Sequence, residues 1–282
     1  MMSKPKNRSE RQDKQERRDS EREKKKAKKP FRIIDPRGGV NPLIPYVIRP
    51  RRTALLDPLP TLEWNAAQDA TGYSVYLQVA GETIWETETE ETRLVYTGEP
   101  SLEPDVDYQL LVEANTGTSS SDDDMPDGVA FQLLSSSKAQ QVQAAMQQAR
   151  QAFTAEKQPL AVLSIYRTYE LRAEAIHLLE TAIQQGSRGV EIHQALGELY
   201  SEVGLILKAE ETYREAVRLA EDTDDLVAQA AAAAGLGTVY AGLKKQGEAL
   251  YWLTQAKYGY EALGEMEVVK ALQERLVNLD LA

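Results

Sequence analysis

Cysteine and histidine, two residue types that commonly act as nucleophiles, acid–base catalysts or metal ligands, are scarce in this 282-residue chain. It has no cysteine, which excludes disulfides, thiolate metal sites and cysteine nucleophiles. Its two histidines, His177 and His193, lie in helical patterns, where a packing or surface role is favoured over that of a general base. Phosphate-binding loops, dinucleotide fingerprints and the H-E-x-x-H pair are absent from the sequence. The pattern predicts a protein that is not an enzyme and needs no cofactor.

Clustered carboxylates are the remaining candidates for chemistry. Asp122-Asp123-Asp124 and Asp127 suggest a calcium loop, but Pro126 takes the third ligand position and Asp127 stands where glycine is needed. A solvated acidic loop without metal is therefore the favoured interpretation. Glu210 and Glu211 are adjacent on a helical pattern and diverge, so they cannot flank one substrate atom.

Charge is distributed very unevenly along the chain. Residues 1–52 carry a net charge of +11, residues 53–134 carry −16 and residues 135–282 carry −6. Residues 1–29 have almost no apolar side chains, which predicts a disordered basic arm. This arm could tether the protein to nucleic acid or to an anionic lipid surface. No aromatic residues interleave to stack on bases, so a solubilising tail, or one that folds back on the acidic segment, is favoured.

The distribution of apolar residues indicates the cellular compartment. No stretch has the apolar run of a secretory signal or of a membrane span, which predicts a cytoplasmic protein. A periplasmic or exported protein is the alternative, if the true start carries a signal peptide.

Residues 30–52 hold five prolines and two glycines, which predicts an extended linker packed along a domain surface.

Short alternating runs between turns predict a β-sandwich over residues 53–134. The runs are rich in threonine, valine, isoleucine and aromatic residues, which suit half-buried strands. They lie at 61–64, 73–77, 83–87, 93–96, 108–112 and 129–134.

Three landmarks in this segment resemble the fibronectin type III family. The stretch 60–65 with 69–76 is similar to strands B and C of that family, and 102–104 followed by Tyr108 is similar to its E–F corner. The resemblance implies an immunoglobulin-like sandwich in which Trp64 fills the space between the sheets. It also implies that the Tyr108 hydroxyl bonds nearby backbone, as a tyrosine corner does.

Beyond Ser135 the sequence changes to alanine, leucine, glutamate and glutamine, with a repeat. Small and aromatic residues recur first at a spacing of 34 residues and then at 40. The recurring positions are Tyr166, Ala175, Ala182, Gly197, Tyr200, Ala209, Tyr213, Ala216, Gly237, Tyr240, Ala249 and Ala256. They predict paired helices in which Gly197 and Gly237 allow a close approach to the second helix.

The units Leu196-Gly197-x2-Tyr200 and Leu236-Gly237-x2-Tyr240, each followed by A-x3-[YL]-x2-A, resemble the tetratricopeptide repeat (TPR). The resemblance implies an all-α solenoid over 135–282, with three repeats at about 156–189, 190–223 and 230–263. The solenoid is completed by a flanking helix at 136–153 and a capping helix at 265–280. The flanking helix has the apolar spacing that is also seen in coiled coils. The whole chain is thus predicted to be a multidomain β + α protein, a sandwich followed by a solenoid.

The first helix of each repeat should line a concave groove that binds a peptide or helix of another protein. The predicted partner-binding residues are Ser164, Arg167, Gln194, Glu198, Ser201, Ala234, Thr238 and Ala241. The family's carboxylate clamp for chaperone tails needs lysine, asparagine and arginine at positions held here by Leu160, Ser164, Ala195, Ala231 and Gly235. The predicted function is accordingly a scaffold or adaptor with a different ligand; a groove filled by residues 1–52 is the alternative.

Overall fold

The structure is a computed structural model that describes residues 38–123, 130–154 and 158–280. All of the described residues belong to one compact unit. The expectations for the basic arm at 1–29, and for Asp124 and Asp127 of the acidic loop, lie outside the described residues. Within the described residues, no helix is both long and apolar enough to cross a membrane.

A β-sheet region comes first. Its strands are β1 Val47–Arg49, β2 Thr53–Leu55, β3 Thr61–Trp64, β4 Tyr73–Val79, β5 Glu82–Thr89, β6 Arg93–Val95, β7 Tyr108–Ala114 and β8 Phe131–Leu133. They form a three-stranded sheet in the order β1-β3-β6 and a five-stranded sheet in the order β2-β8-β7-β4-β5. The pairs are antiparallel, except that β2 runs parallel to β8.

The two sheets share one apolar core, because alternate residues of their strands point inward. Trp64 of β3 is 1% exposed and meets Tyr73 of β4 edge to face, with ring centroids 5.6 Å apart. The Tyr108 hydroxyl accepts a hydrogen bond from the backbone N–H of Glu103 at 2.7 Å. Both side chains therefore lie where the sequence predicted them.

Eight helices follow in the described residues. They are α1 Ser136–Ala152, α2 Gln158–Thr168, α3 Arg172–Gln184, α4 Val190–Val203, α5 Ile206–Asp222, α6 Leu226–Gly242, α7 Gln246–Ala262 and α8 Met266–Asp280. Consecutive helices contact each other, and α4 also contacts α6, as stacked hairpins require. The six extra residues of the second period, near Asp222–Asp225, lengthen the helices on both sides of that turn: α5 and α6 have 17 residues each, against 13 in α3 and 14 in α4, and only residues 223–225 separate them.

Glycines let the two helices of a hairpin approach each other closely. A Cβ on Gly197 would lie 2.9 Å from the ring of Tyr213, and one on Gly237 would lie 2.7 Å from Leu253. These partners sit one turn beyond Ala209 and Ala249, which are fully buried. The Tyr213 ring also lies against Gly235, where a Cβ would come within 2.2 Å of it. The ring is thus held between the backbones of α4 and α6.

Strand β1 belongs to both regions, although residues 30–52 were predicted to be a linker. Val47 packs in the core between the sheets. Ile44 and Tyr46 pack in the helical core, with Ile48 against its edge. Successive residues of a strand point to opposite sides, so one strand can place a side chain in each core.

Candidate functional site

The groove is defined here as the face presented by α2, α4 and α6 around Arg167 and Glu198. Side chains link these three helices directly. The Arg167 guanidinium of α2 donates to Glu198 of α4, with Nη2 and Oε2 2.5 Å apart. Gln194 of α4 donates from Nε2 to the Ala228 carbonyl of α6 at 2.7 Å. The first helices of successive hairpins are therefore joined by polar contacts.

Glu198 is the electrostatic centre of this groove. Its side chain is 46% exposed, whereas that of Arg167 is 25% exposed. Burial raises the pKa of the Tyr213 phenol well above its usual value, and the Glu198 carboxylate raises it further. Burial and then Glu198 raise the pKa of the Tyr260 phenol in α7 as well. Both phenols therefore stay neutral at physiological pH, and the contact that the structure shows for the Glu198 carboxylate is the ion pair with Arg167.

Three of the predicted partner-binding residues are buried, which corrects the prediction that they face a ligand. Ala234 is 0% exposed, Ser201 3% and Thr238 6%. The hydroxyls of Ser201 and Thr238 donate to the carbonyls of Gly197 and Ala234 in their own helices, at 2.9 and 2.8 Å. Short side chains on closely packed helices lie below the surface that longer neighbours form.

The other predicted groove residues remain at least partly accessible. Ser164 is exposed, and Ala241 is half-buried, as are Arg167, Gln194 and Glu198. The Ser164 hydroxyl donates to the Ala161 carbonyl at 2.7 Å, so it is already occupied within α2. The accessible polar groups of the predicted set are therefore concentrated on Arg167, Gln194 and Glu198.

The candidates for catalysis stay apart from one another. His177 is exposed on α3, while His193 is 6% exposed on α4 and its Nδ1 lies 2.9 Å from the Gly189 carbonyl oxygen. Glu210 forms ion pairs with Arg214 and Lys245 at 3.3 and 3.7 Å. Among the residues that the structure describes, no cluster of three or more histidine, aspartate or glutamate side chains is placed to hold a metal ion.

A second region that sequence reasoning missed is the junction, defined here as residues 38–56 and Asp123 where they meet α3 and α4. The side chains of Arg51 and Asp123 are each 1% exposed and form an ion pair with Nη2 2.8 Å from Oδ2. Arg51 also donates to the carbonyls of Val203 at the end of α4 and of Val47, at 2.6 and 3.0 Å. The other Asp123 oxygen accepts from the Gly39 backbone N–H at 2.9 Å.

This ion pair corrects the expectation of a solvated acidic loop, at least for Asp123. The pair joins residues 72 positions apart. No local pattern marks such a contact, which is why the sequence did not reveal it. A buried charge needs a partner and hydrogen bonds, and here Arg51 and Asp123 have both. The junction is thereby fixed between the sheets and the helices.

Glu174 of α3 is a second ionisable group at the junction. Its Oε1 accepts from the Leu56 backbone N–H at 2.9 Å. Its Oε2 is buried and has no hydrogen-bond partner among the described residues. Burial raises the pKa of the Glu174 carboxyl from 4.5 to about 7, a smaller contribution comes from Asp57, and backbone hydrogen bonds oppose the rise. The carboxyl group is therefore partly protonated at neutral pH.

Comparison of the chain with protein-family models gave no match, and comparison with curated proteins gave none either. The similar solved structures include the crystal structure of BtubC (BKLC) from P. vanneervenii, at 18% identity and a TM-score of 0.43, over 50% of this chain and 63% of that one. This chain thus covers less than two thirds of BtubC.

Two further solved structures are similar over about half of this chain. The crystal structure of MamA protein has 17% identity and a TM-score of 0.36, over 50% of this chain and 79% of that one. A Podosopora anserina putative kinesin light chain with nearly identical TPR-like repeats has 17% identity and a TM-score of 0.35, over 50% of this chain and 88% of its own. These values are too low to show a family or to transfer a function.

Proposed function

We propose that the protein is a non-catalytic scaffold that binds a segment of another protein in the groove. The observation that carries the proposal is the half-exposed carboxylate of Glu198, held at 2.5 Å by Arg167 from the neighbouring hairpin. A helical solenoid that spans several hairpins offers an extended surface rather than a closed pocket, which suits a peptide or a helix. The helical hairpins are, in this proposal, tetratricopeptide-type repeats.

The recognition is polar and centred on few groups. Gln194, Glu198 and Arg167 offer donors and acceptors to a ligand backbone, because all three side chains remain partly accessible. A ligand that presents an amide or a cationic side chain to Glu198 fits this arrangement best.

The β-sheet region is, as part of the same proposal, a fibronectin type III-like module. The buried Trp64 and the hydrogen bond from the Glu103 N–H to the Tyr108 hydroxyl support this assignment. Because the junction links this module to α3 and α4, it holds the first hairpins in position. Its role is therefore to present the groove.

The proposal is tested by affinity capture from the native host with the full chain and with charge-reversal variants. Glu198→Arg removes the central carboxylate, while Glu215→Arg makes the same charge change on the exposed surface of α5, where Glu215 pairs with Arg218 at 2.6 Å. Proteins that bind in the groove are expected to be lost with Glu198→Arg and retained with Glu215→Arg. If every captured protein survives Glu198→Arg, the groove is not the binding site.

A further inference from the structure

Strand β5 is an edge of the five-stranded sheet. It pairs with β4 on one side, and on its other side no strand of the described residues is paired with it. The strand has eight residues, Glu82–Thr89, and most of its outward side chains are exposed. An edge of this length presents a row of unpaired backbone N–H and C=O groups, which can accept a further strand.

The part of this edge with regular geometry is residues 85–89. Tyr73↔Thr89 and Leu77↔Trp85 mark the two ends of an unbroken register with β4. A bulge between Leu77 and Gln78 interrupts the register before residue 85. Because a bulge bends an edge away from a straight partner, an added strand is restricted to residues 85–89.

The side chains around this segment are acidic. Glu86 and Glu88 are exposed on the outer face of the sheet. Glu88 is opposite Ser74 of β4, and Ser74 is opposite Glu113 of β7, so three carboxylates lie on one face. Residues 53–92 contain no lysine or arginine. None of these three carboxylates takes part in an ion pair among the residues that the structure describes.

We propose that residues 85–89 are a docking edge for an extended, lysine- or arginine-rich segment of another protein. Charge complementarity decides the kind of occupant. Opposite charges on neighbouring strands stabilise pairing, whereas like charges directly opposite each other destabilise it. The same carboxylates therefore oppose pairing with a second copy of this edge. This surface is separate from the groove, so a protein bound here leaves the helical face free.

The probe for this edge is a capped peptide in which lysine alternates with valine over seven residues. A scrambled peptide of the same composition, with its lysines in one block, is the control. Binding to the full chain is measured by calorimetry at low and high salt. Hydrogen exchange then measures the protection of the β5 amides, which a purely electrostatic association would not change.

The matched variants are Glu86→Lys with Glu88→Lys, and, as a control of equal charge change, Glu267→Lys with Glu274→Lys on the exposed face of α8. The alternating peptide is expected to protect the amides of residues 85–89 and to bind about tenfold or more weakly to the β5 variant, with little change for the control. Equal binding of both peptides, binding without protection of β5, or protection of β5 in the absence of peptide, whether by dimerisation or by residues 1–29 of the same chain, would each overturn the proposal.

Discussion

Arg51 and Arg167 each form an ion pair that joins two elements of the fold, but the first pair is buried and the second is half-exposed. The Arg51–Asp123 pair at the junction is 1% exposed on both sides, and Arg51 also donates from Nε and Nη1 to two backbone carbonyls. The Arg167–Glu198 pair in the groove is 25% and 46% exposed. A buried pair holds elements together because neither charge can be left alone. A half-exposed pair contributes little to stability and remains open to a competing ligand.

The largest effect is expected from breaking the pair at the junction. Asp123→Ala leaves the Arg51 guanidinium buried without its counter-charge, and should lower the free energy of unfolding by about 3–5 kcal/mol. Urea unfolding followed by circular dichroism measures this loss. Arg218→Met, which breaks an exposed pair on α5, is the control and should leave the midpoint unchanged. A midpoint for Asp123→Ala equal to that of the wild type would show that the junction does not hold the two regions together.

A pH-dependent effect of nearly the same size is expected from Glu174. Its pKa is about 7 in the folded chain and near 4.5 without burial, so the folded state binds more protons between these values. Stability from this group therefore falls as pH rises from about 4.5 to 7, by roughly 3 kcal/mol in total, and stays constant above that range. Glu174→Gln keeps an acceptor for the Leu56 N–H and removes the titration.

The measurement is the difference in unfolding free energy between Glu174→Gln and the wild type from pH 4 to pH 8. The variant should gain stability relative to the wild type as pH rises. Glu221→Gln, on the exposed surface of α5, should show no such trend. A flat difference for Glu174→Gln would mean that the carboxyl group at the junction is hydrated and ionised throughout this range.

A smaller effect is expected beneath the groove, where Tyr213 packs between α4 and α6. Gly235→Ala would place a Cβ 2.2 Å from the Tyr213 ring, so the ring or a helix must move, at a cost of about 1–3 kcal/mol. Gly247→Ala in α7 is the control, because its Cβ meets nothing within 4 Å and alanine favours a helix. Thermal unfolding should rank Gly235→Ala below the wild type and Gly247→Ala at or above it. Equal midpoints for the two variants would show that the helices are not tightly packed there.

The sequence was informative where contacts are local and periodic. The recurrence of Gly197 and Gly237 predicted paired helices beyond Ser135, and the flanking and capping helices expected at 136–153 and 265–280 are found at Ser136–Ala152 and Met266–Asp280. The alternation of apolar and polar residues around Trp64 and Tyr108 predicted most of the strands, because successive side chains of a strand point to opposite faces of the sheet. These signals come from neighbours three or four positions apart in helices and two apart in strands.

Contacts between distant segments left no such signal. Arg51 meets Asp123 only because residues 38–56 cross between the sheets and the helices. In the groove, the position of each helix face was predictable, but the depth of Ala234 and Thr238 was not, because depth depends on how far the neighbouring side chains extend. Whether a side chain on the outward face of a helix is buried depends on how its neighbours pack and does not follow from the helical period.

The smallest effect on stability is expected from Arg167→Ala. This variant tests the comparison between the buried and the half-exposed ion pair most directly. Because the Arg167–Glu198 pair is half-exposed, its loss should change the free energy of unfolding by no more than about 1 kcal/mol. The same variant should still reduce capture of groove-binding proteins, since Glu198 then lacks the guanidinium that positions it at 2.5 Å. Unfolding and capture are measured on one preparation. A loss of stability as large as that of Asp123→Ala would make the Arg167–Glu198 pair a structural link like the junction, and would leave the groove without a recognition centre.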